Sequence, residues 1–195
     1  IENLRNPAHH KIRLYNAKGV WKPRPSEAKV KDEQIKPLFE AIENLQNTDK
    51  KNLIKLFFYL GQHPFTEICE MRWDQLENID NQWWWIMEEG FHKTGYEHQV
   101  PLHSKVWKII EEQKGKDNKY VFVSINRKDK EGNLLPYLKS GFQKQAYAIR
   151  NHLDDQTITF QCFRATLTTK LRELGKGHEP SYLMNQQLQG ISHRV

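Results

Sequence analysis

Cysteine is scarce in this chain of 195 residues, and a long apolar run and an initiating methionine are missing. Cys69 and Cys162 are not spaced as a Cys-x-x-Cys pair, so an all-cysteine zinc cluster is excluded and both are expected to be reduced, buried side chains. His98 and His103 lack a trustworthy ligand spacing, so no metal site is predicted.

No apolar stretch approaches the roughly 20 residues that a membrane-spanning helix needs, so no membrane partner is expected. Residues 1–5 also lack the pattern of a signal peptide. The missing methionine predicts a fragment of a longer protein, and the two expected thiols favour a cytoplasmic one.

Acidic residues are nearly absent from the first 24 residues, where Glu2 is accompanied by six cations. The net charge is +6, and the rest of the chain holds 24 basic and 23 acidic residues. A basic, extended arm suits the phosphates of double-stranded DNA, whereas a solvated linker that binds nothing is the alternative. The six cations are Arg5, Lys11, Arg13, Lys18, Lys22 and Arg24.

Helical periodicity begins after this segment, so residues 1–29 are predicted to be a linker and 30–195 a folded domain. The first helix carries Pro37, which must lie near its start or else kink it. Thr48 or Asp49 is expected to cap a second helix that is apolar on most sides, hence central, and that ends at Gly61. Further helices are predicted over 66–72, around 106–110, and over 139–152, 160–174 and 180–188.

Between these helices the period changes to the alternation typical of strands. Three short strands are predicted, over 76–79, 82–88 and 98–102. In the second, one face of the Trp83-Trp84-Trp85 run is expected in the core and the other stacked on a helix, with an aromatic platform for bases as the alternative. Polar residues 126–136 are expected to form a mobile loop. The fold class is mainly α with a small antiparallel β-sheet, an α+β domain.

Several local motifs follow one another in a fixed order. They are Leu60-Gly61 to Glu67 with Met71-Arg72-Trp73, Lys93-Thr94 after the second strand, Gln161-x-x-Arg164, and Leu183-Met184-Asn185-Gln186. In this order they resemble the Gly-x-Arg-x-x-Glu, Leu-x-Trp, catalytic Lys, His-x-x-Arg and Leu-Leu-Gly/Asn-His stretches of the tyrosine recombinases, or phage integrases. The resemblance covers residues 30–195 and implies the catalytic-domain fold of that family. Residues 1–29 would then be the tail of its N-terminal DNA-binding domain.

The resemblance also implies a chemistry. In the family a tyrosine attacks a DNA phosphodiester and forms a 3′-phosphotyrosine intermediate, without a metal, nucleotide or other cofactor. Lys93 would donate a proton to the departing 5′-oxygen, and Arg164 would stabilise charge on the non-bridging oxygens. The implied partners are double-stranded DNA and further copies of the protein on that DNA. The implied function is site-specific recombination or integration by a bacterial or phage-encoded, mobile-element protein.

This sequence departs from the family's pattern at several functional positions. Gln161 and Gln186 stand where the family has histidine, and His63 or Pro64 stands where it has its first arginine. The nucleophilic tyrosine is expected at Val195 or just beyond. Glutamine still donates neutral hydrogen bonds, and a bound phosphate would raise the pKa of His63.

Three hypotheses therefore stay open. The protein is a recombinase whose tyrosine follows Val195, a relative that binds DNA without cutting it, or a helical module that binds protein. Added salt separates the last from the others, because phosphate contacts weaken steeply with salt. A structural ion pair between Arg164 and Glu67 or Glu70 is the alternative to a phosphate contact of this arginine.

Lys93→Ala is expected to slow DNA cleavage more than it weakens DNA binding, because a proton donor acts only in the reaction step. The measurements are covalent-adduct formation on a suicide substrate and an equilibrium binding assay, in protein that includes the sequence following Val195. Equal losses in both assays would contradict the assigned role.

Overall fold

The computed structural model describes residues 29–90 and 97–175. The basic arm, Lys93, Gln186 and the helix expected over 180–188 lie outside these residues. The α-helices are α1 (Asp32–Glu43), α2 (Thr48–Leu60), α3 (Ser104–Glu111), α4 (Gln143–Leu153) and α5 (Phe160–Glu173). The strands are β1 (Leu76–Ile79), β2 (Gln82–Met87), β3 (His98–Leu102), β4 (Val123–Lys128) and β5 (Leu134–Pro136). Shorter elements are a π-helical turn over Pro64–Ile68 and 3-10 turns over Trp73–Gln75 and Lys139–Phe142.

The first two helices begin where polar side chains satisfy amide groups. In α1 the side chain of Gln34 accepts a hydrogen bond from the Lys31 amide at 3.0 Å, and Pro37 lies in the second turn. The predicted cap of α2 was wrong, because Asn47 is extended and its Oδ1 accepts from the Lys50 amide at 2.9 Å. Thr48 and Asp49 are the first helical residues, where Asp49 complements the helix dipole.

Helix α2 is the centre of the domain, as its apolar sequence predicts. Leu53, Ile54, Leu56 and Phe57 are fully buried, and α5 packs along this helix while α4 packs on α1. Gly61 ends α2 with a φ of 63°, a left-handed conformation that glycine adopts without a steric penalty. The end of α2 is therefore fixed just before the segment that carries His63.

The three predicted strands are present and form an antiparallel sheet in the order β1-β2-β3. Trp85 is fully buried and its indole donates to the Gln75 side chain at 3.2 Å. The ring that stacks on a helix is Trp83, which lies 3.7 Å from the ring of Trp107 on α3. Because Trp83 and Trp85 share one face of the strand, the core and the stack are on the same side, contrary to the expectation.

The expected mobile loop over 126–136 was wrong. This segment belongs to an antiparallel hairpin of β4 and β5, which contains a register shift between Ser124 and Lys128. At its tip the Asp129 carboxylate accepts hydrogen bonds from the backbone and side-chain N–H groups of Asn133, at 2.8 and 2.9 Å, and Gly132 has a φ of 90°. The polar residues thus make an ordered turn.

Helix α5 is tied to the start of the domain. The Val30 amide donates to the Thr166 hydroxyl at 2.9 Å in a buried bond, and the Lys170 ammonium contacts Asp32 at 2.5 Å. Gly175 follows the helix with a φ of 75°, a left-handed conformation that suits a glycine just after a helix end. The mainly α fold with a small antiparallel sheet is confirmed.

Both cysteines are buried and unbonded to each other, which confirms the expectation, and burial raises the pKa of the Cys69 thiol. Within residues 29–90 and 97–175, no helix is long and apolar enough to cross a membrane.

Phe142→Ala is expected to lower the free energy of unfolding by about 3–5 kcal/mol, because it leaves a cavity among buried rings. Tyr147→Ala is the control, since this side chain on the adjacent helix is 63% exposed and its loss should change the free energy by less than about 0.5 kcal/mol. Urea unfolding followed by circular dichroism measures both. Similar values for the two variants would contradict the packing described.

Candidate functional site

Three of the residues singled out in the sequence meet at one place. His63 lies between the end of α2 and the π-helical turn, and Gln161 and Arg164 lie in the first turns of α5. The Nε2 atoms of Gln161 and His63 are 3.5 Å apart, although 98 positions separate the two residues in the chain. The other two residues of the predicted pocket, Lys93 and Gln186, lie outside the described residues.

The segment around His63 is a compact turn and not the helix expected over 66–72. Pro64 occupies the first position of the five-residue π-helical turn, where its missing N–H costs nothing. The His63 carbonyl accepts from the amides of Glu67 and Ile68, at 3.2 and 3.1 Å. In return, the Glu67 carboxylate accepts from the His63 amide at 2.5 Å. The backbone on both sides of the His63 side chain is therefore held by Glu67.

Aromatic packing brings this turn to the start of α5. Phe65, in the turn, has its ring centroid 5.5 Å from that of Phe57 on α2 and 6.0 Å from that of Phe160 on α5. Phe142, at the end of a 3-10 turn, lies 5.6 Å from Phe65 and 6.0 Å from Phe160. Phe65 follows His63 by two positions and Phe160 directly precedes Gln161, so the ring cluster sets the distance between these two polar side chains.

The His63 ring has a polar partner on each side. Its Nδ1 lies 2.9 Å from the Thr66 hydroxyl and its Nε2 faces the Gln161 amide. Both contacts are satisfied when Nδ1–H donates to Thr66 and the Gln161 amide donates to Nε2, so we assign that neutral tautomer from the partners.

The pKa of His63 is lower than its ordinary value. Burial is the largest cause, because it disfavours the charged imidazolium. The Glu67 carboxylate opposes this effect, whereas the cations Arg164 and Lys139 lower the pKa further. The free site therefore holds His63 in its neutral form near pH 7.

Arg164 supplies a permanent positive charge. Burial lowers its pKa, and the Glu67 carboxylate opposes the shift. Of the two acids named as possible partners of this arginine, Glu67 is the one that interacts with it electrostatically. A guanidinium has five N–H donors in a planar fork, so a carboxylate along one edge is compatible with a phosphate along another.

Sequence reasoning missed Lys139. This exposed residue opens the 3-10 turn Lys139–Phe142, and its charge reaches His63. No motif marks it, because its relation to the site depends on how Phe142 packs. The one signal in the sequence is the apolar Phe142 three positions later, whose burial anchors the turn that Lys139 opens.

The arrangement combines cations with neutral hydrogen-bond donors, which is the chemistry of an anion site. In the part of the chain that the structure describes, no group of three or more His, Cys, Asp or Glu side chains could hold a metal ion. A site of this composition can bind a phosphate and stabilise negative charge on its oxygens.

The fold is that of tyrosine recombinase catalytic domains. Similar structures include the XerH site-specific recombinase bound to difH substrate in a pre-cleavage complex, with a TM-score of 0.64 and 14% identity, covering 86% of this chain and 50% of that one. XerA recombinase has a TM-score of 0.60 and 17% identity, and the match covers 93% of this chain and 66% of the XerA chain. A lambda integrase(75-356) dimer bound to a COC' core site has a TM-score of 0.57 and 13% identity, covering 95% and 72%.

The family is established by the sequence itself. The profile of the phage integrase family matches residues 29–179, so this chain belongs to the phage integrase family. No curated protein matches the sequence significantly. The chain spans half the length of the XerH recombinase chain.

Glu67→Gln is expected to lower the pKa of His63 further. The substitution keeps an oxygen that accepts from the His63 amide but removes the charge that favours the imidazolium. The pH dependence of the His63 ring signals in nuclear magnetic resonance measures the pKa, with His63→Gln to assign them.

Glu70→Gln is the matched control, because this acid is exposed and is not among the charges that act on His63. In the Glu70→Gln variant the pKa of His63 should equal that in the unmodified protein. A titration that Glu67→Gln leaves unchanged would contradict the described geometry.

Proposed function

We propose that this chain is the catalytic-domain region of a site-specific DNA recombinase or integrase, and that it binds a phosphodiester of duplex DNA at Arg164, Gln161 and His63. The observation that carries the proposal is the contact between His63 and Gln161 beside Arg164. Membership of the phage integrase family supports it. The XerH and lambda integrase structures are complexes with difH substrate and a COC' core site, and we extend DNA binding from those proteins to this one.

The proposed roles follow from the chemistry of each group. The Arg164 fork donates to two phosphate oxygens, and the Gln161 amide donates to one of them. An approaching phosphate raises the pKa of His63 toward and above its ordinary value, so DNA binding takes up a proton at this residue. Affinity for DNA therefore increases as the pH falls through the range between the free and bound pKa values.

Cleavage demands more of the site than binding does. Removing one preorganised donor typically costs about 10²–10³ in rate, and three positions of the family pattern hold glutamine or histidine here. We therefore propose slow strand cleavage where a tyrosine follows Val195, with Lys93 as the proton donor and Gln186 completing the pocket. Without that tyrosine the protein binds DNA and does not cut it.

Further parts of the proposal concern the whole protein. Residues 1–29 form a basic linker that contacts DNA phosphates, and residues 30–195 form the catalytic domain. Several copies assemble on the DNA, as in the lambda integrase dimer. The protein acts in the cytoplasm of a bacterium and is encoded by a phage or another mobile element.

Arg164→Ala is expected to lower the affinity for duplex DNA about 10- to 100-fold, because it removes charged hydrogen bonds to a phosphate. The affinity of Arg164→Lys should lie between those of the unmodified protein and Arg164→Ala, since lysine keeps the charge but lacks the planar fork. Equilibrium binding to a labelled duplex at several salt concentrations measures the effect, and circular dichroism verifies the fold.

Arg172→Ala provides the comparison on the same helix, two turns further along and exposed. If Arg164→Ala weakens DNA binding no more than Arg172→Ala does, the phosphate pocket is in the wrong place. Binding that is insensitive to salt would point to a protein-binding module instead.

A further inference from the structure

The described part of the site has less positive charge than the transfer of a phosphoryl group needs. Arg164 is its permanent cation, Gln161 is neutral, and His63 is neutral near pH 7. A phosphate in such a site carries negative charge on its non-bridging oxygens, and preorganised cations are the usual means of stabilising it. A cation on a neighbouring described element would add to that stabilisation.

Lys139 lies on an element that is fixed in place. Its 3-10 turn is closed by a hydrogen bond from the Gly141 amide to the Leu138 carbonyl at 2.9 Å. The Gly141 carbonyl accepts from the Lys50 ammonium at 2.6 Å, and Phe142 is buried at the end of the turn. The backbone of Lys139 is thus held, while its side chain is exposed.

The same rings that position His63 and Gln161 also position this turn. Phe142 packs against Phe65, which is two residues after His63, and against Phe160, which directly precedes Gln161. Lys139 is the first residue of the turn that ends at Phe142, so its backbone lies within one turn of the ring cluster. The ring contacts therefore place the turn of Lys139 beside the segments that carry His63 and Gln161, and the charge of Lys139 acts on His63.

We infer that Lys139 supplies a further cation to this site, in addition to Arg164 and the proposed proton donor Lys93, and contacts a DNA phosphate together with Arg164, an inference that rests on the proposed function. The neighbouring lysine on α2 has another task, because the Lys50 ammonium donates to Gly141 and lies over the Phe142 ring at 5.7 Å. Lys50 holds the turn, and Lys139 presents the charge.

A lysine in this place would do part of the work of a missing arginine. Its ammonium is a point charge on a flexible stem, so it attracts a phosphate over a range of positions. It lacks the planar fork that fixes the orientation of two phosphate oxygens. The consequence is a pocket that retains affinity for phosphate while it orients the phosphate less strictly.

The first test uses the unmodified 195-residue chain and its variants without DNA. Lys139→Ala should raise the pKa of His63, because a nearby cation no longer disfavours the imidazolium. Lys139→Arg should restore the pKa, and Lys144→Ala should leave it unchanged, since this exposed lysine on α4 is not among the charges that act on His63. A pKa that Lys139→Ala leaves unmoved overturns the inference.

The second test measures binding to a duplex of mixed sequence as a function of salt. Lys139→Ala should reduce the slope of log affinity against log salt by about one, the change expected for the loss of one phosphate contact. Lys139→Arg should restore the slope. An unchanged slope in a protein that binds DNA overturns the inference and leaves the proposed function standing. A chain that binds no duplex overturns the proposed function, and the inference with it, whatever the titration gives.

Discussion

Four phenylalanine rings are the foundation on which the site depends. Phe57, Phe65, Phe142 and Phe160 come from α2, the π-helical turn, a 3-10 turn and α5, and their centroids lie 5.5–6.0 Å apart. Rings at these distances contribute about 0.5–1.5 kcal/mol per pair beyond the burial of their area. Three of the four stand within three residues of a polar group of the site, so packing and function are set by the same contacts.

Glu67, in the π-helical turn, has a structural effect on the site and an electrostatic one. Its carboxylate holds the His63 amide and so fixes the turn, and its charge also acts on Arg164 and His63. A negative charge beside an anion site costs affinity for the anion. It also offsets the repulsion between the buried guanidinium and an imidazolium, which makes protonation of His63 attainable when a phosphate arrives. Glu67 therefore stabilises the site when no phosphate is bound, and its charge reduces the affinity of the site for a phosphate.

The sequence predicted the elements whose cause is local. The alternation of apolar residues located β1 and β3 to the residue, and Gly61 and Gly175 mark helix ends because their positive φ angles suit glycine. Local patterns failed where two chemistries compete. Asn47, Thr48 and Asp49 are all competent caps, and the structure selects Asn47 because it is the extended residue. The polar tip of the β4–β5 hairpin resembles a loop in composition, and its order comes from the bonds between Asp129 and Asn133.

The residues of the site also differ in whether the sequence could predict their positions. The meeting of His63 with Gln161 and Arg164 was accessible through the resemblance to a family, since no periodicity connects positions 98 apart. Lys139 was not accessible, because the family pattern assigns no role to that position and its place depends on the packing of Phe142.

The departures from the family pattern at His63 and Gln161 bear differently on phosphate binding and on the reaction step. Attraction between a cation and a phosphate falls slowly with distance, so a lysine that arrives from a neighbouring turn can replace much of the affinity that an arginine gave. Stabilisation of a transition state needs donors within about 3 Å of oxygens whose positions change during the step, and a flexible ammonium or a neutral amide meets that requirement poorly. Under the proposed function, a pocket built from Arg164, Gln161, His63 and Lys139 therefore favours affinity for a DNA phosphate over the rate of strand exchange.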